Sequence, residues 1–164
     1  MAVTSQTYAV QIKGAMLRRG FWLYVWEVTT GDGHQLLYVG RTGDSSSANA
    51  QSPFNRMGAH LGTNEKSNVL RKHLRNLKVA PEDCELRLVT YGPIFGEAAE
   101  KTTSAHEPLR DLNAALEKKL AEDLLAAGYQ VINTVHCKRP LNAALYAQVH
   151  QAFAAQFEKL LAEP

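Results

Sequence analysis

Several residues of this 164-residue chain have the types and spacing for acid–base and charge chemistry. Tyr24 and Tyr38 lie on two segments that read as paired strands, and Tyr38-Val39-Gly40 runs straight into Arg41-Thr42. Arg56 and His60 are four apart, so they share one helix face. Further on, acidic residues stand beside an apolar helix stripe, with Asn133 just past it. A guanidinium stays charged and offers a planar fork suited to phosphate. A phenol, with a pKa near about 10, takes a proton at neutral pH only where cations lower it. Other chemistries lack their spacing. His34, Cys84, His106, His136 and Cys137 make no pair-and-pair zinc pattern. No glycine-rich piece has phosphate-loop or dinucleotide spacing, and no serine nucleophile motif is present.

These side chains need elements to hold them. Residues 21–29 (FWLYVWEVT) are aromatic and β-branched, the composition of a strand buried on both faces. Turn residues at 30–34 and a returning run at 35–39 complete a β-hairpin. Residues 42–51 are small and polar and predict a mobile surface loop. Ser52-Pro53 reads as an N-cap and first-turn proline for a helix to Leu61. Ser67 begins a second helix, with Val69, Leu70, His73, Leu74 and Leu77 on its apolar face. Residues 85–91 alternate as a half-exposed third strand, and 92–108 predict an irregular insertion.

From Leu109 a stripe of Leu112, Leu116, Leu120, Leu124 and Ala127 marks a helix that Gly128 closes. Residues 130–135 form a short extended piece, and Pro140 opens an amphipathic helix through Leu161. That helix is expected to pack on the core, or on a second subunit in a homodimer. A further strand is expected around residues 8–12. The order β-β-α-α-β-α-α predicts an α+β domain over 1–164, a small central antiparallel sheet flanked by helices, with a C-terminal helix over about 140–161.

Composition sets the setting. A hydrophobic content of 45% supports one packed core, and 18 Lys plus Arg against 16 Asp plus Glu give +2. No apolar run approaches the roughly 18 residues of a membrane span. Without an export pattern at its start, the chain is expected to be cytoplasmic and its two cysteines, Cys84 and Cys137, reduced. Charge is uneven. Residues 52–78 hold six basic residues, among them Lys66, Arg71, Lys72 and Arg75, against Glu65 alone. Residues 82–123 hold ten acidic and five basic residues. The basic block has the pattern of a phosphate-backbone contact, and equally that of a solvated helix face.

The ordered set resembles the GIY-YIG endonuclease family over about residues 20–135. Trp22-Leu23-Tyr24 stands for the first tripeptide and Tyr38-Val39-Gly40 for the second. Arg56 and His60 match its Arg-x-x-x-His, and Asn133 its asparagine. Trp22 occupies the place of the first glycine, and the loop between Gly40 and Arg56 is longer than is usual. Two residues compete for the metal-binding glutamate. At about 100° per residue, Glu117 falls about 60° from Leu120 on the shoulder of the buried stripe, whereas Glu122 falls at about 200°. Glu117 is the favoured choice.

The resemblance implies a metal-dependent DNA endonuclease that hydrolyses phosphodiesters. Its catalytic set would be Tyr24, Tyr38, Arg56, His60, Glu117 and Asn133, with one Mg²⁺ or Mn²⁺ ion on Glu117. Tyr24 would activate the attacking water, Tyr38 orient water or phosphate, and Arg56 hold the scissile group. His60 would donate to that phosphate or to a tyrosine oxygen, and Asn133 would brace Glu117 or the backbone. Arg41, Lys66, Arg71, Lys72 and Arg75 would contact DNA. A catalytically inactive member would instead be a nucleic-acid or protein binding module.

Overall fold

The computed structural model describes residues 4–44 and 47–161. Strands β1 (Phe21–Thr29) and β2 (Gln35–Arg41) pair antiparallel, with Tyr24 opposite Gly40 and Trp26 opposite Tyr38. Their turn closes where Gly33 N–H donates to Thr30 O, and Gly33 adopts a φ of 87°, open to a residue without Cβ. Helix α1 (Pro53–Leu61) starts at Ser52, whose side chain accepts from Asn55 N–H. Its proline fills the first helical position, where a missing N–H costs no hydrogen bond. Helix α2 (Val69–Asn76) follows. Strand β3 (Glu85–Phe95) pairs antiparallel with the far side of β1, and helix α3 (Thr103–Ala126) comes next. Strand β4 (Gln130–Val131) and helix α4 (Ala143–Ala154) complete the order.

Strand alternation divides the core in two. Leu23, Val25, Leu37 and Val39 point to one face and pack with Leu116, Leu120 and Leu124 of α3 and Val149 and Phe153 of α4. Tyr24, Trp26, Val28, Leu36 and Tyr38 point to the other, over Leu70 and Leu74 of α2 and Met57 and Leu61 of α1. Burying each such leucine contributes on the order of 2 kcal/mol. Both faces of the hairpin are therefore apolar, and the two tyrosines are delivered to the α1–α2 side.

The fold is α+β, and the described residues form a four-stranded sheet ordered β3-β1-β2-β4. The expected antiparallel sheet is mixed, because β4 joins β2 in parallel, Leu36 opposite Gln130. The expected strand at 8–12 is absent: Tyr8 and Val10 are 79% and 83% exposed, and alternation without a partner edge builds no strand. The 92–108 stretch is largely regular. β3 continues to Phe95, and α3 begins at Thr103, where Thr102 accepts from Ala105 N–H. Pro108 lies inside that helix at an exposed position, so it did not end it.

The C-terminal helix is shorter than 140–161. Asn142 caps it, it stops at Ala154, and Gln156 and Phe157 N–H both turn back to Phe153 O. A 3₁₀ turn over Glu158–Leu161 then returns Leu160 to the core, so the apolar period persists through a broken helix. Val149, Phe153, Phe157 and Leu160 are all buried within this chain. Of the loop expected at 42–51, residues 45 and 46 lie outside the described residues, as do 1–3 and 162–164. Its start is no mobile surface, because Thr42 and Gly43 are buried. Both cysteines are free.

Candidate active site

The site begins with the hairpin. Tyr24 lies opposite Gly40, and its ring occupies the space that a Cβ at position 40 would need. The glycine after Tyr38-Val39 thus answers to the tyrosine on the neighbouring strand. Trp22 is accommodated similarly, its ring packed on Gly92, a residue with φ of 149°, and its indole N–H donating to Arg18 O at 3.1 Å. His60, one turn after Arg56 on α1, enters between the two phenols. Its Nε2 is 3.2 Å from Tyr24 Oη, and its ring stands edge-on to Tyr24 and Tyr38 at 5.5 and 5.4 Å. His73 of α2 flanks Tyr38 at 5.5 Å.

Two ion pairs adjoin this cluster. Arg41 Nη1 donates to Glu117 Oε2, and Arg56 Nη2 donates to Asp44 Oδ2. Glu117 is 6% exposed, pointing inward from α3 as the helix geometry requires. Glu122 is exposed and pairs with Lys118 at 3.6 Å. Arg41 and Asp44 both belong to the short segment that leaves β2, so that segment gives one charge to each pair.

Burial governs the electrostatics. It holds the Tyr24 phenol well above its ordinary value, with Tyr38 adding to the rise and Arg56 opposing it. Tyr38 is pushed up to about 12 by burial and Glu117, against Arg56 and Arg41. His60 falls to about 4 because burial and Arg56 both disfavour the imidazolium. Burial raises the Glu117 carboxyl, and Arg41 pulls it back. At neutral pH the core of the site is therefore two neutral phenols and a neutral imidazole, between paired charges.

Asn133 binds backbone. Val39 N–H donates to its Oδ1 at 3.0 Å, and its Nδ2 donates to Val39 O at 2.7 Å. Both halves of the amide are engaged with β2, and Asn133 positions the strand that carries Tyr38 and Gly40. Of the basic block, Lys66, Lys72 and Arg75 are exposed and form no ion pair among the described residues. Arg71 differs: its guanidinium donates to Leu61 O at 2.9 Å and to Glu82 at 2.6 Å, tying α2 to its neighbours.

Sequence reasoning passed over Asp44, and also Asn113 and His106 on α3. Asn113 Nδ2 donates to Trp22 O and Thr42 O at 3.3 and 3.1 Å, and His106 Nε2 lies 2.9 Å from Asp44 O. At about 100° per residue Asn113 falls about 20° from Leu120, so a polar residue on the buried stripe was the available signal.

Magnesium prefers oxygen ligands and is commonly held by one or two carboxylates, substrate phosphate and water. Glu117 offers a buried carboxylate of that kind beside the phenols. No group of three or more His, Cys, Asp or Glu among the described residues forms a cation cage. One buried carboxylate would fit an ion completed by a phosphate and water, and Glu117 is the residue that would hold it. No family model, no curated protein and no solved structure matches this chain significantly.

Proposed function

We propose that this chain is a metal-dependent DNA endonuclease of the GIY-YIG type. The observation that carries the reading is the Tyr24–His60 hydrogen bond set beside Arg56 and Glu117. Packing alone gives no reason to gather two phenols, an imidazole, two guanidiniums and two carboxylates at one end of a hairpin. Phosphodiester hydrolysis needs an attacking water, a proton acceptor and relief of charge on the phosphate. A Mg²⁺ or Mn²⁺ ion on Glu117 would supply Lewis-acid help to a phosphate oxygen and the leaving group.

The chain's own residues supply the rest. Tyr24 donates its phenolic proton to His60 Nε2, which leaves the phenol oxygen free to accept from water. As water gives its proton to Tyr24 Oη, the phenolic proton passes to His60. The hydroxide oxygen bonds to phosphorus, the bond to the leaving oxygen breaks, and that oxygen takes a proton from solvent. Arg56 is one of the two influences that keep His60 neutral. A phosphate bound on Arg56 offsets that influence, so substrate itself raises the imidazole's proton affinity. Arg56 and Arg41 are each held by a carboxylate through one nitrogen, and the remaining N–H groups of their forks fix the phosphate in line. Tyr38 orients water or phosphate, and the exposed Lys66, Lys72 and Arg75 follow the DNA backbone.

Supercoiled plasmid incubated with the protein in Mg²⁺ or in EDTA tests this. Nicking or linearisation in Mg²⁺ alone, lost in Glu117→Gln, is expected. Retarded but uncut DNA under every cation condition would favour a binding module instead.

A further inference from the structure

We infer that His106 and Asn113 are positioning residues that hold residues 41–44 as one rigid bridge between the site's two ion pairs. The inference rests on the endonuclease reading for its catalytic consequence and on geometry alone for its structural one. Helix α3 meets the bridge with three buried polar side chains, Glu117, Asn113 and His106. At about 100° per residue they fall about 60°, 20° and 40° from Leu120, on one face. They meet the bridge in reverse order. Glu117 takes Arg41, Asn113 takes Thr42 O at 3.1 Å, and His106 reaches Asp44 O at 2.9 Å. Thr42 is locked further: its hydroxyl donates to Gly20 O at 2.6 Å and accepts from Trp22 N–H at 2.9 Å.

The bridge has charge at both ends. Arg41 is the cation of one pair and Asp44 the anion of the other, so a shift of this segment moves the partners of Glu117 and Arg56 together. A carbonyl only accepts, so His106 carries its proton on Nε2. Its Nδ1 is buried without a partner, as is Asn113 Oδ1. A core built only for stability would place an apolar residue there, since an unpaired buried polar atom is costly. Yet the His106 bond goes to the bridge, and Asn113 divides its amide N–H groups between the bridge at Thr42 O and the neighbouring strand at Trp22 O. His106 also packs against Phe21 at 5.1 Å, which fixes its ring.

The test pairs His106→Leu with His106→Gln, whose side-chain amide can replace Nε2–H. Two quantities are measured in the full chain: hydrogen exchange of the Arg56 Nε–H by NMR, and single-turnover cleavage against DNA affinity. Arg56 Nε is buried without an acceptor, so its exchange reports whether Asp44 still holds the guanidinium. His106→Leu should speed that exchange by about tenfold and slow cleavage by about tenfold to a hundredfold, with DNA affinity within about threefold. His106→Gln should restore both. If His106→Leu does not fold, His106→Asn, too short to reach Asp44 O, takes its place. Unchanged Arg56 exchange overturns the inference, as does equal loss in the Leu and Gln variants that tracks Tm. Faster Arg56 exchange in a protein whose wild type never cuts DNA would leave the bridge standing and remove the endonuclease reading.

Discussion

His60 Nε2 lies 3.2 Å from Tyr24 Oη, and both side chains are almost wholly withdrawn from solvent. Burial and Arg56 lower this imidazole from 6.5 to about 4, which links it to folding. The unfolded chain binds a proton on His60 below about 6.5, and the folded one only near 4. Between those values the unfolded state holds more protons, so stability falls as pH is lowered through that window and the loss is complete below it. The full effect is on the order of 3 kcal/mol. Urea unfolding from pH 4 to 7 should show a shallower pH dependence for His60→Gln than for wild type. Parallel curves would mean that the imidazole titrates normally in the folded protein.

Glu117→Gln should abolish cleavage in Mg²⁺ while DNA binding stays within a few-fold, because the cation acts mainly on the transition state. Mn²⁺ affinity, read by calorimetry, should fall in the same variant. Glu122→Gln should change neither, since that side chain faces solvent. Cleavage that survives in Glu117→Gln and fails in Glu122→Gln would reverse the two assignments.

How far these residues were legible depends on the range of the forces that place them. The hairpin, the Ser52 cap and the inward turn of Glu117 follow from neighbours within about one or two helical turns, and periodicity reports those. Glu117 was found by its angle from Leu120, and the same angle would have found Asn113. Leucines defined the stripe, so a polar residue on it went unread. His106 lies in the 92–108 stretch, whose glycines, prolines and lack of a clear period predict an irregular insertion before Leu109. Asp44 sits in a small polar stretch that looks solvated, and its partners Arg56 and His106 lie 12 and 62 residues away. The extended piece at 130–135 holds two-residue β4, but its parallel pairing with β2 has no local signal. The raised Tyr24 phenol is equally nonlocal, because α1 and α2 must pack over the sheet before burial can act.

The phenols should separate by magnitude. Tyr24→Phe removes only a hydroxyl and should slow the chemical step by about a hundredfold or more, the scale for a positioned proton acceptor. Tyr38→Phe should cost less, since its oxygen only orients. Arg56→Lys keeps the charge but loses the fork, so it should bind DNA and cleave poorly. Rates with enzyme in excess remove product release from the comparison. Wild-type rates in all three variants would leave the cluster without a catalytic role.

The basic residues should divide by what they touch. Lys72→Ala and Arg75→Ala should each weaken DNA binding at low salt and flatten the salt dependence by about one released counterion. Arg71→Ala should instead lower Tm, because its guanidinium ties Leu61 O and Glu82 to α2. A salt titration with unchanged slope for Lys72→Ala and Arg75→Ala would make that face an ordinary solvated one.

Gly40 gives the sharpest structural test, because its requirement comes from one side chain. A methyl at position 40 would overlap the Tyr24 ring, and that ring is already packed edge-on with His60. Gly40→Ala should therefore destabilise the fold by about 1–3 kcal/mol, the range for overpacking a filled core. It should also displace the phenol from His60 and lower cleavage as Tyr24→Phe does. Tyr24→Ala removes the obstacle, so Gly40→Ala should cost almost nothing in that background. The double-mutant cycle then yields a coupling energy close to the whole cost of Gly40→Ala. Additive costs would show that the glycine serves the backbone of β2 and not the placement of Tyr24.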